Sequence, residues 1–359
     1  MEIMELKKVL KFYKGKKVFI TGHTGFKGSW LTYILDSIGA EVTGYSLEPN
    51  TNPSLFKSLS FSKKFNSIIG DIRDEKKFQS TIKNFNPEYI FHLAAQPLVL
   101  ESYKNPDQTF STNFTGTLNL LEILRKLNLP IQVVFITTDK VYENLELGAP
   151  FVETDKLGGK DPYSASKAAS EILIESYRHS FFKDSLINIA TARAGNVIGG
   201  GDWSENRLIP DIVRSKQEST SLRVRNPKAI RPWQHVLESL FGYLKLGIGL
   251  SEDSQKYSSQ WNFGPEIEDS ITVEDIINIG KKLNIVSQVE YEKRTFVEAQ
   301  NLKLNIIKAK EQLGFKPVWN TEQAVKYTFE WYNAYNQGTL SPNDLINKDL
   351  LNYLNQYEC

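Results

Sequence analysis

The chain has 359 residues, 40% of them hydrophobic and 24% charged, with 43 Lys and Arg against 42 Asp and Glu. That length leaves room for about two domains, and a net charge of +1 gives no electrostatic case for nucleic acid or an anionic membrane, so any anion site must be local. The single cysteine, Cys359, excludes a disulfide framework and a multi-cysteine metal site, and no run of about 18 apolar residues marks a spanning helix.

The opening "MEIMELKKVLKFYKGKK" mixes charge with short apolar runs, unlike a signal peptide, and a soluble cytoplasmic protein is expected. "KKVFIT" then reads as a strand, "FKGSWLTYILDSIG" as a helix ending at Gly39, and "EVTGYSL" as a second strand. "SIIGD" and "EYIFHLAA" are further strands around the helix "DEKKFQSTIKNFN". "DQTFSTNFTGTLNLLEILRKLN" is a long helix, "IQVVFITT" a buried strand, "YSASKAASEILIESYRHSF" a helix and "INIATARA" a strand. Such alternation implies crossovers and a parallel sheet covered on both faces, a doubly wound α/β fold. After Arg193 the rhythm breaks, returning to a helix in "PKAIRPWQHVLESLFGYLKLGIGL" and a strand in "QWNFGP". The expected organisation is a Rossmann domain over 1–192, rejoined at about 235–265, with 193–359 forming mainly a smaller, interleaved substrate-binding lobe.

Between the first strand and first helix stands Gly22-His23-Thr24-Gly25-Phe26-Lys27-Gly28, a G-x-x-G-x-x-G. Glycines there let the backbone approach a pyrophosphate, and the helix N-terminus offers free N–H groups. Isolated, the motif would be a glycine-rich turn; in this strand–helix context it points to a dinucleotide. The acid that usually follows about 20 residues on is replaced by Ser46, with Glu48 nearby, and no arginine offers itself to a 2′-phosphate, so NAD is expected. Asp71 reads either as a partner for adenine or as a strand-end turn acid.

Tyr163 and Lys167 form a Tyr-x-x-x-Lys on one helical face, where the ammonium can favour an ionised phenol. Thr138-Asp139-Lys140 closes the strand "IQVVFITT" either as a solvated turn or as a set of side chains aimed into a site. His92 and His23 read as structural, and no His/Asp/Glu spacing suggests a metal. Arg225, Arg231 and Trp233 suit phosphate and a stacked base, or else are a core tryptophan flanked by surface arginines.

The segments "TGHTGFKGSW", "GDIRD", "HLAAQPLV", "TTDKVY", "YSASK", "RAGNVIGGGDW" and "RNPKAIRPWQHV" resemble, over nearly the whole chain, the extended short-chain dehydrogenase/reductase family of nucleotide-sugar enzymes. Within it they look most like the 4,6-dehydratases acting on CDP-glucose. The resemblance implies C4 oxidation, elimination across C5 and C6, and hydride return to C6, serving deoxysugar and surface-polysaccharide synthesis. It further implies that Thr138 hydrogen-bonds the 4-hydroxyl, that Tyr163 with Lys167 takes its proton, and that Asp139 protonates the leaving 6-hydroxyl. Lys140 stands where the dTDP-glucose enzymes carry glutamate, near C5, and would need to be neutral to act as a base. Gly22, Thr24, Gly25, Phe26, Gly28, Ser46, Asp71, Ile72, Ala94, Ala95, Tyr163 and Lys167 would hold NAD. Gln96 would line the hexose pocket, while Asn196, Arg225, Arg231 and Trp233 would bind the nucleotide. Other dehydratases (dTDP-glucose, GDP-mannose), a 4-epimerase and a non-catalytic dinucleotide sensor share parts of this pattern; Asp139 and Lys140 weigh against the epimerase, and the Tyr163/Lys167 pair against the sensor. The two long helices carry apolar stripes that in this family pair with a second subunit, giving a homodimer or homotetramer, although a core stripe reads equally well.

Overall fold

The computed structural model describes residues 6–127, 129–286, 288–292 and 300–357; Cys359 lies outside them. Seven strands form one sheet: β1 Lys17–Thr21, β2 Glu41–Ser46, β3 Asn66–Ile69, β4 Tyr89–His92, β5 Ile131–Ile136, β6 Ile187–Ala194 and β7 Gln260–Phe263. Their order is β3-β2-β1-β4-β5-β6-β7, and every neighbouring pair is parallel.

Parallel strands need crossovers, and the crossover helices cover both faces, so the central strands are apolar without alternation. In β1, Val18 and Ile20 enter one core cluster while Phe19 enters another on the opposite face. In β5, Val134 and Ile136 face the first cluster, and Val133 and Phe135 the second. Helices α2 Phe26–Ser37 and α7 Val236–Glu252 supply the first face, through Trp30, Ile34, Leu240 and Leu244. The second is covered by α3 Glu75–Phe85, α4 Gly116–Arg125 and α5 Pro162–Tyr177, through Phe78, Ile82, Leu120, Leu124 and Ile174. Residues Leu6–Tyr13 form an additional helix, α1, whose buried Leu6, Val9, Leu10 and Tyr13 share one side; Tyr13 Oη donates to the Leu244 carbonyl at 2.8 Å, fastening it to α7.

The predicted long helix over 107–128 is helical as far as Arg125 but not regular, and Asn128 lies outside the described residues. Pro106–Phe110 runs into a π-turn at Ser111–Thr115 before α4. The widened turn frees the Asn113 carbonyl, which accepts from Thr117 Oγ1 at 2.7 Å and Ser170 Oγ at 2.9 Å. Beyond β6, α6 Leu208–Glu218, α8 Thr321–Gln337 and α9 Pro342–Tyr357 join the first cluster through Ile212, Phe329 and Tyr353. The apolar core therefore continues from the sheet into the later part of the chain.

Candidate active site

β1 and its neighbour β4 lead into crossovers on opposite sides, which opens a crevice at the carboxyl ends of the strands. A cleft of about 540 Å³ lies there. Gly22, Thr24, Gly25, Phe26, Gly28, Ser46, Asp71, Ile72, Ala94 and Ala95 line one part; Thr138, Asp139, Lys140, Tyr163, Asn196, Arg225, Arg231 and Trp233 line the remainder.

The glycine loop is shaped by contacts that no side chain would survive. Gly22 has φ +74° and its backbone abuts Ala94, where a Cβ would come within 2.7 Å of the Ala94 nitrogen. A Cβ on Gly28 would stand 2.0 Å from the Gly22 carbonyl oxygen. Gly25 caps α2 without a side-chain bond, leaving the first N–H groups of the helix to an anion. Ser46, in the place of the usual acid, bonds Thr24 Oγ1 at 2.8 Å, and Thr24 also donates to the Leu47 carbonyl at 2.8 Å. Asp71 is held by Arg73 at 2.6 Å, and that hydrogen-bonded guanidinium keeps its carboxyl below the usual range. These groups suit a dinucleotide: an open helix terminus, a collar without Cβ atoms, and a fixed carboxylate at the edge.

At the end of β5, Thr138 caps a short 3-10 turn over Asp139–Val141 and donates to Asp139 Oδ1 at 3.0 Å. Asp139 is 1% exposed, yet its Oδ2 has no partner among the described residues. Lys140 Nζ lies 3.9 Å from Asp139 Oδ1. Asn226 Nδ2 and Trp233 Nε1, also in the cleft wall, are likewise buried and without a partner among the described residues. Buried polar atoms left without partners cost stability, so their presence in one cleft marks groups shaped for a ligand.

Tyr163 is the second residue of α5, whose N-terminus Asp161 caps by accepting from the Ser164 N–H. Burial pushes its phenol up to about 12, against the opposing influence of the Thr138 hydroxyl. Lys167, one turn on, is pushed down to about 8 by burial, with Glu171 acting in the other direction. Lys167 shares this helix face with Tyr163 but does not itself line the cleft. Lys167 Nζ donates to the Ile136 carbonyl at 3.1 Å, and the cation that lowers Tyr163 is Arg207. The reason is geometric: α5 packs against the turn that follows β5, which brings Lys167 to the last carbonyl of the strand.

Gln96 is the other departure. Expected in the hexose pocket, it does not line the cleft: its Nε2 donates to the Leu98 carbonyl at 3.1 Å and Thr109 Oγ1 at 2.9 Å, and its Oε1 accepts from the Leu98 N–H. Its backbone N–H is taken by Asn113 Oδ1 at 2.8 Å, so the residue braces the loop from behind. His92 bonds Thr21 Oγ1 at 2.9 Å inside the core, and His23 bonds Ser67 Oγ at 2.7 Å against Phe56 and Phe65. Both have structural roles.

Sequence reasoning missed Lys27, Asn206, Arg207 and Asn226, all of which line the cleft. Arg207 Nη1 bonds Asp202 Oδ2 at 2.8 Å, which fixes its guanidinium near Tyr163. The polar run "SENR" before α6 was the available signal. Beneath the strand ends lies a buried network in which Glu171 accepts from Thr137, Thr191 and Arg193.

The family model described as GDP-mannose 4,6 dehydratase matches residues 19–328. The CDP-glucose 4,6-dehydratase of Salmonella typhimurium is 45% identical over 334 residues, 91% of this chain and 93% of that protein. Among solved structures, an epimerase of Methanothermobacter thermautotrophicus superposes with a TM-score of 0.81 at 24% identity, over 96% of this chain and 97% of its own. The dTDP-glucose 4,6-dehydratase of Streptomyces venezuelae, solved with NAD bound, gives 0.78 at 21% identity, over 91% and 99%. The structural likenesses speak for the Rossmann fold, and the sequence matches carry the classification further: the chain belongs to the GDP-mannose 4,6-dehydratase family of extended short-chain dehydrogenases/reductases.

Proposed function

We propose that the protein is an NAD-dependent CDP-glucose 4,6-dehydratase of the cytoplasm, converting CDP-glucose to CDP-4-keto-6-deoxyglucose and water with no net redox change. The observation that carries the reading is Asp139: a buried carboxylate with one oxygen unpartnered among the described residues, beside Thr138 and Lys140 and in the same cleft as Tyr163. An epimerase has no use for an acid and a second base at that point. The 45% identity to a CDP-glucose enzyme favours CDP among the nucleotides.

The glycine loop, Ser46, Asp71, Ile72, Ala94 and Ala95 would hold the dinucleotide. Bound there, NAD supplies the acceptor that takes the C4 hydrogen and gives it back at C6. Tyr163 takes the proton of the 4-hydroxyl, with Thr138 hydrogen-bonded to the same oxygen. A phenol at about 12 is a poor base at neutral pH, and the nearby Arg207 guanidinium favours its ionised form. The resulting 4-ketone acidifies the C5 proton, which Lys140 removes and returns to C5 when the hydrogen comes back to C6, while Asp139 in its protonated form delivers a proton to the departing 6-hydroxyl. Asn196, Arg225, Arg231 and Trp233 hold the nucleotide. Residues 1–192, with 235–265, serve the dinucleotide and 193–359 mainly the sugar nucleotide. Phe110 and Ile172 are 39% and 57% exposed, and we assign these helix faces to a homodimer contact, testable by light scattering.

The test is incubation of purified protein and NAD⁺ with CDP-, dTDP-, UDP- and GDP-hexoses, following product mass. Loss of one water from CDP-glucose is expected, with a drop of roughly 10²–10⁴-fold in Tyr163→Phe and a strong reduction in Asp139→Asn. Epimerisation without water loss, or turnover of another nucleotide in preference, would overturn the assignment.

A further inference from the structure

Asp139 and Lys140, the acid and the base of the dehydratase reading, stand in a 3-10 turn of three residues, Asp139–Val141. Such turns are closed by hydrogen bonds of poor geometry, and here the Val141 N–H reaches the Thr138 carbonyl at 3.4 Å. Asp139 Oδ2 has no partner among the described residues, and Lys140 Nζ is 3.9 Å from Oδ1. The turn's own contacts hold both side chains loosely, while the chemistry asks for fixed positions.

The residues on either side of the turn are gripped by one buried ion pair. Before it, Thr137 Oγ1 donates to Glu171 Oε1 at 2.5 Å. After it, Tyr142 Oη accepts from Arg193 Nη1 at 2.9 Å and donates to Asn262 Oδ1 at 2.7 Å, with the guanidinium carbon 4.9 Å from the centre of the tyrosine ring. The same Nη1 donates to the Glu153 carbonyl at 3.0 Å, holding the segment further on. Arg193 closes the span by giving Nε and Nη2 to the two oxygens of Glu171, each at 3.0 Å. Glu171, Arg193 and Tyr142 are all buried, and none of them lines the cleft.

A buried ion pair is a weak source of stability, since apolar residues of the same volume often serve as well. A planar guanidinium offers what those cannot, donors at fixed angles that join two partners rigidly. Here the fork ties α5, which carries Tyr163, to both ends of the turn that carries Asp139 and Lys140. We infer that the Glu171–Arg193 pair, with Tyr142, positions the acid and base of the elimination relative to the tyrosine that serves C4 oxidation. This rests on the dehydratase reading, and the three are positioning residues that act through the turn from outside the cleft.

The experiment follows turnover of CDP-glucose by the NAD-loaded full-length protein, reading product mass, steady-state constants and the absorbance of reduced cofactor. Tyr142→Phe deletes one oxygen and leaves the ion pair in place. It should lower kcat roughly 10²-fold, the cost of a misplaced catalytic group, with KM unchanged. Reduced cofactor should build up during its turnover, because C4 oxidation goes on at Tyr163 while elimination slows. Thr137→Val reports the same role should Tyr142→Phe fail to fold: it should lower kcat, and Thr137→Ser, which keeps the hydroxyl, should restore it. The double variant Glu171→Leu with Arg193→Met should resist urea better than Glu171→Gln and still turn over as slowly as Tyr142→Phe. Turnover at the wild-type rate in Tyr142→Phe, Thr137→Val or the double variant overturns the inference, as does slow turnover of Tyr142→Phe without a build-up of reduced cofactor. Wild type that removes no water from CDP-glucose fails the dehydratase reading itself, and the inference falls with it.

Discussion

Glu171→Gln is a one-atom change whose cost can be worked from the hydrogen bonds. Glu171 Oε1 accepts from Thr137 Oγ1 at 2.5 Å and Arg193 Nε at 3.0 Å; Oε2 accepts from Thr191 Oγ1 at 2.9 Å and Arg193 Nη2 at 3.0 Å. The side chains of Glu171 and Arg193 are 2% and 4% exposed. A glutamine has one oxygen, so either orientation of its amide points N–H groups at a guanidinium N–H, and the arginine charge loses its buried partner. Breaking such a pair costs about 3–5 kcal/mol. Because Glu171 also raises Lys167, the ammonium behind the strand end should fall further below about 8. The assay is urea unfolding followed by tryptophan fluorescence, with the midpoint shift multiplied by the slope giving the loss. Replacing both partners, Glu171→Leu with Arg193→Met, should recover part of it, since neither member of the pair is then left buried without the other. A loss for Glu171→Gln below about 1 kcal/mol would show that water or a neighbouring group compensates the arginine, and the reasoning would fall.

Gly28→Ala should abolish dinucleotide binding, measured by calorimetry, because its Cβ would stand 2.0 Å from the Gly22 carbonyl; retained binding would mean the loop relaxes. His92 is pushed down to about 3 by burial, then by Lys167, so its folded value lies below the unfolded one of about 6.5. Its neutral form therefore contributes stability that is present above pH ~6.5 and lost as pH falls toward about 3. His92→Asn should flatten the acid limb of unfolding free energy against pH by ~1.4 kcal/mol per pH unit relative to wild type, and parallel curves would refute this. Gln96→Ala, which removes the brace to Leu98 and Thr109, should lower thermal stability and leave hexose preference unchanged, whereas a changed hexose preference would return Gln96 to the hexose pocket.

Much of the molecule was legible along the chain because its signals are local. Both faces of the sheet are buried, so a strand such as Ile131–Ile136 is buried at every position and apolar at all but Gln132. The glycine loop sits directly between β1 and α2, where spacing alone fixes the helix terminus against the strand end. Tyr163 and Lys167 share one helix face by period, and Thr138, Asp139 and Lys140 end a strand that must open at the crevice. What these side chains touch was decided by the tertiary structure. Lys167 turns to the Ile136 carbonyl because α5 packs against the turn that follows β5, and Arg207 reaches the neighbourhood of Tyr163 because Asp202 holds it from the segment before α6. Gln96 stands in a recognisable loop, yet the Asn113 side chain from the π-turn captures its backbone and the loop folds its amide inward. Lys27 carries no sequence signal beyond a lysine in a variable motif position; its environment comes from Tyr243, 216 residues away. Periodicity reports which face of an element is buried, whereas the partner of a polar group depends on which elements meet, and that is settled only when the sheet and its helices have closed.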